Sequence, residues 1–374
     1  MIYNDFADLR LSMLGMGGMR FPTHPDGSID MDATTKLFDL CIERGVNYFD
    51  TAWFYHNGMS EEAVGKILRR YPRESYYLAT KMPWYDFEGE AGMRALFEKQ
   101  FERVGVDYFD FYLLHNVSDM TYPVFTDPSL RIPEFLAEQK EKGRFRHYGF
   151  STHASLPTLE KFLTSYRSLF EFCQIQLNWL DWTLQDAKGK VELLRSVGLP
   201  IWVMEPLRGG RLTSLTPEDE APLRALRPDE SIGAWGFRFL QSIPEVTMVL
   251  SGMTTPEIIE ENARTFAERK PLNDEEMTAL LAVAERLLAK KTLTCTECKY
   301  CMNECPMELE IPKLLSVYNN TVLTGSAPDR ARIVEKFGED KLPDACIGCR
   351  ACEAKCPQEI KISEILSDFA KALS

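Results

Sequence analysis

Eight of the ten cysteines of this 374-residue chain lie in its last eighty residues, in two runs of one spacing. The first is Cys295, Cys298, Cys301 and Cys305, followed by Pro306; the second is Cys346, Cys349, Cys352 and Cys356, followed by Pro357. Soft thiolates in the pattern C-x2-C-x2-C-x3-C-P are ligands for iron–sulfur cubanes. Backbone turns bring the first three thiolates of a run to one side, where they grip one cubane, while the fourth, beside the proline, reaches the other. The expected sets are Cys295, Cys298, Cys301 and Cys356 on one cluster, and Cys346, Cys349, Cys352 and Cys305 on the second. Both runs belong to an internal repeat offset by 51 residues, CTECKYCMNECPMELEIPKLL against CIGCRACEAKCPQEIKISEIL. Pro306 matches Pro357, Ile311 matches Ile362 and Leu315 matches Leu366, which reads as a ligand loop and a following helix used twice. Disulfides would need an oxidising compartment, and zinc sites favour separated pairs over four cysteines within eleven residues. Two [4Fe–4S] clusters are the expectation. Cys41 and Cys173, remote from both runs, read as small buried hydrophobes.

A second set of groups is singled out by position. Strand-like apolar runs end at Asp50, Lys81 and His115, and Tyr55 follows Asp50 by five residues. A Tyr, a Lys, an Asp and a His converging on one mouth make a proton-donor set. A free phenol titrates near 10 and is a poor acid at neutral pH unless a cation favours its anion. The Lys81 ammonium is expected to depress the Tyr55 value, Asp50 to keep Lys81 charged, and His115 to orient a carbonyl or relay the proton. One such residue alone is ordinarily a structural or solvated charge; the ordered set of four carries the argument.

The elements that position them alternate. LSMLGMG precedes the helical pattern TTKLFDLCIERG, whose Gly45 suits a helix C-terminus; VNYFDTA precedes SEEAVGKILRR, with Ser60 as N-cap and Glu61 and Glu62 at the positive end. YYLATK, FDFYLLH, RHYGFS, FCQIQLN, PIWVMEP and VTMVLSG each precede a further amphipathic pattern. Eight βα units in about 270 residues make a (β/α)8 TIM barrel the expected α/β fold. An open doubly wound sheet would carry G-x-G-x-x-G after its first strand, and LGMGGMR lacks that spacing. The expected organisation is a barrel over 1–270, a linking helix over 271–291 and a small, mainly helical, ferredoxin-like iron–sulfur domain over 292–374.

These residues resemble the aldo-keto reductase family. The resemblance runs over residues 9–267 and rests on Asp50-Thr51-Ala52 with Tyr55, Glu61-x3-Gly65, Lys81, Leu114-His115, Gly149-Phe150-Ser151, Gln174 with Asn178, Pro206-Leu207-x2-Gly210-x-Leu212, and Glu261-Asn262. It implies that Tyr55 is the general acid, tuned by Lys81 and Asp50, with His115 positioning a carbonyl. It implies hydride from a nicotinamide cofactor, NADP or NAD, lying across the mouth on Gly17, Gly18, Met19, Ser151, Gln174, Met204, Pro206, Leu207, Gly210, Leu212, Gly252, Glu261 and Asn262. The chain departs from the family pattern in places. Thr152 follows Ser151 where an Asn is usual, Met204 stands where an aromatic stacks on the ring, and Gly252 and Ile258 stand where NADPH users carry a Lys and an Arg. The C-terminal tail resembles the ferredoxin-type extension of one branch of these reductases.

A formal charge of −13 argues against nucleic-acid binding. No apolar stretch approaches the roughly 18–20 residues of a membrane span, the start of the chain is mixed and polar, and reduced cysteines point to the cytoplasm. Three functional readings remain open. The favoured one is a nicotinamide-dependent reductase of a carbonyl compound whose clusters are auxiliary or structural. In the second, a ferredoxin or other redox partner feeds electrons through the clusters to a flavin or to the substrate, because a hydride carries two electrons and a cubane one; a flavin has no fingerprint in this sequence. In the third, the barrel is a non-enzymatic redox sensor. Trp53, Phe54, Trp84, Tyr85 and residues 116–128 are the expected specificity segments, with an apolar or ring-bearing substrate.

Overall fold

Apolar runs of three to nine residues become barrel strands, as in the nine-residue Phe109–Val117, which is buried along its whole length. The computed structural model describes residues 1–289, 293, 295, 296, 298–324 and 328–373. They fall into two units, Met1–Leu207 with Leu212–Met277, and Arg208–Arg211 with Thr278–Ser374.

In the first unit, β3 (Leu14–Gly17), β4 (Tyr48–Asp50), β5 (Tyr77–Met82), β6 (Phe109–Val117), β7 (Phe145–Thr152), β8 (Phe172–Gln176), β9 (Ile201–Met204) and β10 (Val246–Ser251) close a parallel barrel in chain order, β10 returning to β3. The expected first strand divides in two. Leu9–Ser12 (β2) pairs antiparallel with Tyr3–Phe6 (β1), and the barrel strand begins only at Leu14. The break at Met13 follows from how Ser12 is held: its hydroxyl donates to the Leu14 carbonyl at 2.7 Å, and its N–H is taken by Asn47 Oδ1 at 2.8 Å. This hairpin plugs the end where the strands begin. Phe6 and Leu11 pack with Tyr48, Phe111, Phe172 and Trp202, and the Phe6 ring lies 4.8 Å from Trp202. The other end, where strands finish, is left as the mouth.

Helices cover the barrel. Asp30 caps α1 (Met31–Glu43) by accepting from Ala33 N at 2.9 Å, and Gly45 leaves it with φ +85°. Ser60 is the first residue of α2 (Ser60–Leu68) and makes no cap hydrogen bond. Its hydroxyl instead donates to the Gly18 carbonyl at 2.9 Å and meets Thr51 Oγ1 at 2.8 Å, because those partners lie on the mouth side. Against α2 lies α3 (Gly89–Val104). A Cβ on Gly65 would sit 1.9 Å from the Val104 carbonyl oxygen, so this helix pair meets at backbone contact and only glycine permits it.

The second unit is helical, with no strand among its described residues. The helix Asp274–Ala289 enters it; Lys290 and Lys291, part of the expected linking helix, lie outside the described residues. Two helices, Ile311–Thr324 and Ile362–Leu373, follow the two cysteine runs and share a core of Leu309, Ile311, Leu315, Ile360, Ile362 and Leu366.

Candidate active site and cysteine-lined cavities

Asp50 closes β4, Lys81 lies on β5, His115 lies near the end of β6, and Tyr55 sits in the loop after β4. Barrel closure brings the four together. Lys81 Nζ donates to Asp50 Oδ1 at 2.5 Å and to the Thr51 carbonyl at 2.9 Å, and it lies 3.4 Å from Tyr55 Oη. The His115 ring meets the Tyr55 ring edge-on, with centroids 5.7 Å apart. All four residues are buried.

Burial and charge act against each other here. Burial alone would discharge Lys81, but the facing Asp50 carboxylate, with Tyr55, holds the ammonium above its ordinary value. Burial raises the Tyr55 phenol, and Lys81 offsets part of that rise without reversing it. The sequence expectation of a net depression is therefore corrected, because desolvation of the phenolate exceeds the pull of one ammonium. Burial, then the Lys81 charge, push His115 well below its usual value, so its imidazole is neutral, and its buried Nδ1 has no hydrogen-bond partner.

A bulge aims His115. Between Leu114 and Val117 the register against β7 shifts by one residue, and Asn116 takes φ +63°, a conformation asparagine tolerates. The orphaned Asn116 N–H is accepted by Ser151 Oγ at 2.8 Å, which in turn donates to the Leu114 carbonyl at 3.4 Å. Ser151, read as a cofactor contact, thus closes the bulge. Asn116 was legible only as part of a specificity segment; its tolerance of positive φ was the available signal.

Phe54 stacks face to face on His115 at 4.7 Å and on Tyr85 at 5.2 Å, with Trp84 edge-on to Phe54 at 5.1 Å. These rings wall the mouth beside Tyr55 with flat apolar surface. Among the remaining residues read as cofactor contacts, Gln174 pairs in register with Ser151 and leaves a buried Oε1 without a partner. Met204 ends β9 opposite Gln176, half-buried. Gly17 ends β3, and the Gly18 N–H donates to the Asp50 carbonyl at 2.7 Å; Met19 follows, half-buried. Pro206 and Leu212 are buried and Leu207 half-buried, while Gly210 is exposed and falls in the Arg208–Arg211 segment of the second unit. Gly252 follows β10. A Cβ there would lie 3.2 Å from the Arg20 side chain, so a cation the sequence reading left out packs at this strand end. On the helix Pro256–Thr265, Glu261 is hydrogen-bonded by Ser231, and Asn262 donates to Ser251 Oγ at 3.3 Å.

In the second unit the cysteines line two cavities. Cys295, Cys298, Cys301 and Cys356 line one, and Cys305, Cys346, Cys349 and Cys352 line the other. The repeat holds at the level of backbone. Lys299 and Arg350 take φ +66° and +61°, Glu308 and Glu359 take +52° and +51°, and each pair is 51 residues apart. Among the described residues no group of three or more His, Cys, Asp and Glu is set to hold a single metal ion, and the thiols stand apart around a volume instead. Soft sulfur donors, four to a cavity with apolar walls, fit a cubane.

The comparisons with known proteins agree with this architecture. The family model of the 4Fe-4S dicluster domain matches residues 294–360. The NADH-specific methylglyoxal reductase of Escherichia coli K12 is 26% identical over 327 residues, covering 75% of this chain and 97% of that protein. L-galactose dehydrogenase of Arabidopsis thaliana is 25% identical over 304 residues, covering 72% and 92%. The holo form of an aldo-keto reductase from Bacillus halodurans superposes with a TM-score of 0.61 at 24% identity, covering 76% of this chain and 96% of that one. The aldo/keto reductase family model matches residues 13–285, and this oxidoreductase, a TIM barrel with a 4Fe-4S domain, belongs to that family.

Proposed function

We propose that this chain reduces an aldehyde or ketone, with hydride taken from a nicotinamide dinucleotide and a proton given by Tyr55. The observation that carries the proposal is Lys81 Nζ set between Asp50 at 2.5 Å and Tyr55 Oη at 3.4 Å in a buried site. Burial keeps the Tyr55 phenol protonated until it is needed. As the phenol gives its proton to the carbonyl oxygen, the Lys81 ammonium stabilises the phenolate left behind, and Asp50 keeps that ammonium charged. Neutral His115 hydrogen-bonds the carbonyl oxygen and holds it toward the phenol. The phenol is reprotonated from solvent after each turnover.

When bound, the nicotinamide supplies hydride to the carbonyl carbon. Gln174, with its unpartnered buried oxygen, would accept from the carboxamide, and Met204 would pack its thioether on the ring. The name of the Escherichia coli relative supports both the carbonyl substrate and the dinucleotide. Phe54, Trp84 and Tyr85 favour a planar, apolar or ring-bearing substrate. Cys295, Cys298, Cys301 and Cys356 would hold one [4Fe–4S] cluster, and Cys305, Cys346, Cys349 and Cys352 the other; bound clusters supply one-electron chemistry. The two cysteine-lined cavities favour a second reading, in which a reduced ferredoxin supplies electrons to a flavin or to the substrate.

One preparation tests both. Anaerobically purified protein is expected to carry about eight irons per chain and to oxidise NADH or NADPH with members of an aldehyde and ketone panel. Tyr55→Phe is expected to lower kcat by about 10²- to 10⁴-fold. No oxidation of either dinucleotide by protein with intact clusters removes the reductase reading. A flavin spectrum, or turnover with reduced ferredoxin alone, moves the assignment to the second.

A further inference from the structure

Arg103, on α3, is fastened to several parts of the mouth at once. Its Nε lies 3.4 Å from Glu61 Oε2. Its Nη2 donates to the Gly58 carbonyl and, at 3.3 Å, to the Trp53 carbonyl, and its guanidinium lies 4.0 Å from the centre of the Trp53 ring. Trp53 and Gly58 bracket Tyr55, so both ends of the phenol-bearing segment hang on one planar cation. Trp53 Nε1 then donates to Asp86 Oδ2 at 2.6 Å, which ties this loop to the one carrying Trp84 and Tyr85.

The anchor of the cation also holds the lysine strand. Glu61 is fully buried, and its Oε1 accepts from Thr80 Oγ1 at 2.7 Å and Gln100 Nε2 at 2.6 Å. Gln100 Nε2 also lies 3.1 Å from the carbonyl of Lys81 itself. Glu61 is thus a common reference. Through Thr80 and Gln100 it fixes the strand of Lys81, and through Arg103 it fixes the loop of Tyr55. The backbone contact at Gly65 and Val104 places Arg103 where it can span this gap. A buried carboxylate requires a partner, and a guanidinium can serve it, two carbonyls and a ring face together, which an ammonium cannot.

We propose that Arg103 is a positioning residue that sets Tyr55 and the aromatic wall at their distance from Lys81. The inference rests on the reductase reading above, in which that distance governs proton donation. A displacement on the order of 1 Å at such a site costs about 100-fold.

The test uses Arg103→Met and Arg103→Lys in the full chain with clusters intact, and follows kcat, dinucleotide affinity, the alkaline limb of the kcat–pH profile and Trp fluorescence. Arg103→Met is expected to lower kcat by about 10- to 100-fold with dinucleotide affinity unchanged. It is also expected to move the alkaline limb to higher pH, because a phenol farther from the ammonium holds its proton more tightly. Arg103→Lys is expected to fall between Met and wild type. If Arg103→Met fails to fold, Arg103→Lys decides. Wild-type kcat with an unmoved limb in a folded variant overturns the proposal and leaves Arg103 a tie between helix and loop. Tyr55→Phe is assayed in parallel. Its retaining full turnover removes the reductase reading and this inference together; its loss of turnover beside wild-type Arg103 variants removes this inference alone.

Discussion

Lys81 shows how little of a side chain's behaviour its type discloses. It is a fully buried ammonium, and its charge is sustained by a carboxylate 2.5 Å away. Replacing one partner strands the other in a medium that cannot solvate it, a cost of about 3–5 kcal/mol, whereas replacing both with neutral groups removes most of that penalty. Lys81→Met is therefore expected to lower both denaturation midpoint and turnover. Asp50→Asn/Lys81→Met is expected to regain stability while turnover stays low, because the phenolate still has no cation beside it. Denaturant titration and steady-state kinetics on the three proteins check this; a double variant as unstable as Lys81→Met contradicts it. The types and order of Asp50, Tyr55, Lys81 and His115 are legible in the sequence because each ends or follows an apolar run. The net direction of the Tyr55 shift is not, because it depends on how much water packing removes.

At the level of elements, the α2–α3 pair carries a requirement that sequence spacing hints at and packing makes strict. Glu61 and Gly65 lie one turn apart, so the anchor and the contact point share a helix face. Gly65→Ala would place a methyl against the Val104 carbonyl, and overpacking of this kind costs about 1–3 kcal/mol. The expected outcome is a lower denaturation midpoint together with reduced kcat, since displacing α3 carries Arg103 with it. A Gly65→Ala protein of wild-type midpoint would mean that the helices separate freely. The barrel strands and the twice-used loop and helix are legible because their periodicities and the 51-residue offset are written in neighbouring residues. The split of the first strand at Met13, the Ser60 hydroxyl turned to Gly18 and the bulge at His115 are not, because each is settled by a partner distant in sequence.

For the molecule as a whole, two neutral histidines, His115 buried and His153 half-buried, predict sensitivity to acid. Burial, and then the Lys190 charge, bring His153 down to about 4, and His115 lies well below its ordinary 6.5. A folded value below the unfolded one means that the unfolded chain binds protons first, so stability present above pH 6.5 is lost as pH falls toward the folded values. For His153 alone the step from pH 7 to pH 5 costs about 2 kcal/mol. Denaturation midpoints across that range are expected to fall, and His153→Asn to flatten the slope; equal slopes in the two proteins would contradict it. The sequence by itself determined which residue types are present and in what order: the cysteine runs, their duplication, the succession of Asp50, Tyr55, Lys81 and His115, and the eight alternations that bring strand ends to one mouth. Those are properties of residue type and local spacing, which survive without a fold. Only the tertiary structure decided that burial outweighs Lys81 at the phenol, and that Glu61 and Arg103 join the lysine strand to the tyrosine loop. Distances and desolvation of this kind arise when segments far apart along the chain exclude water between them.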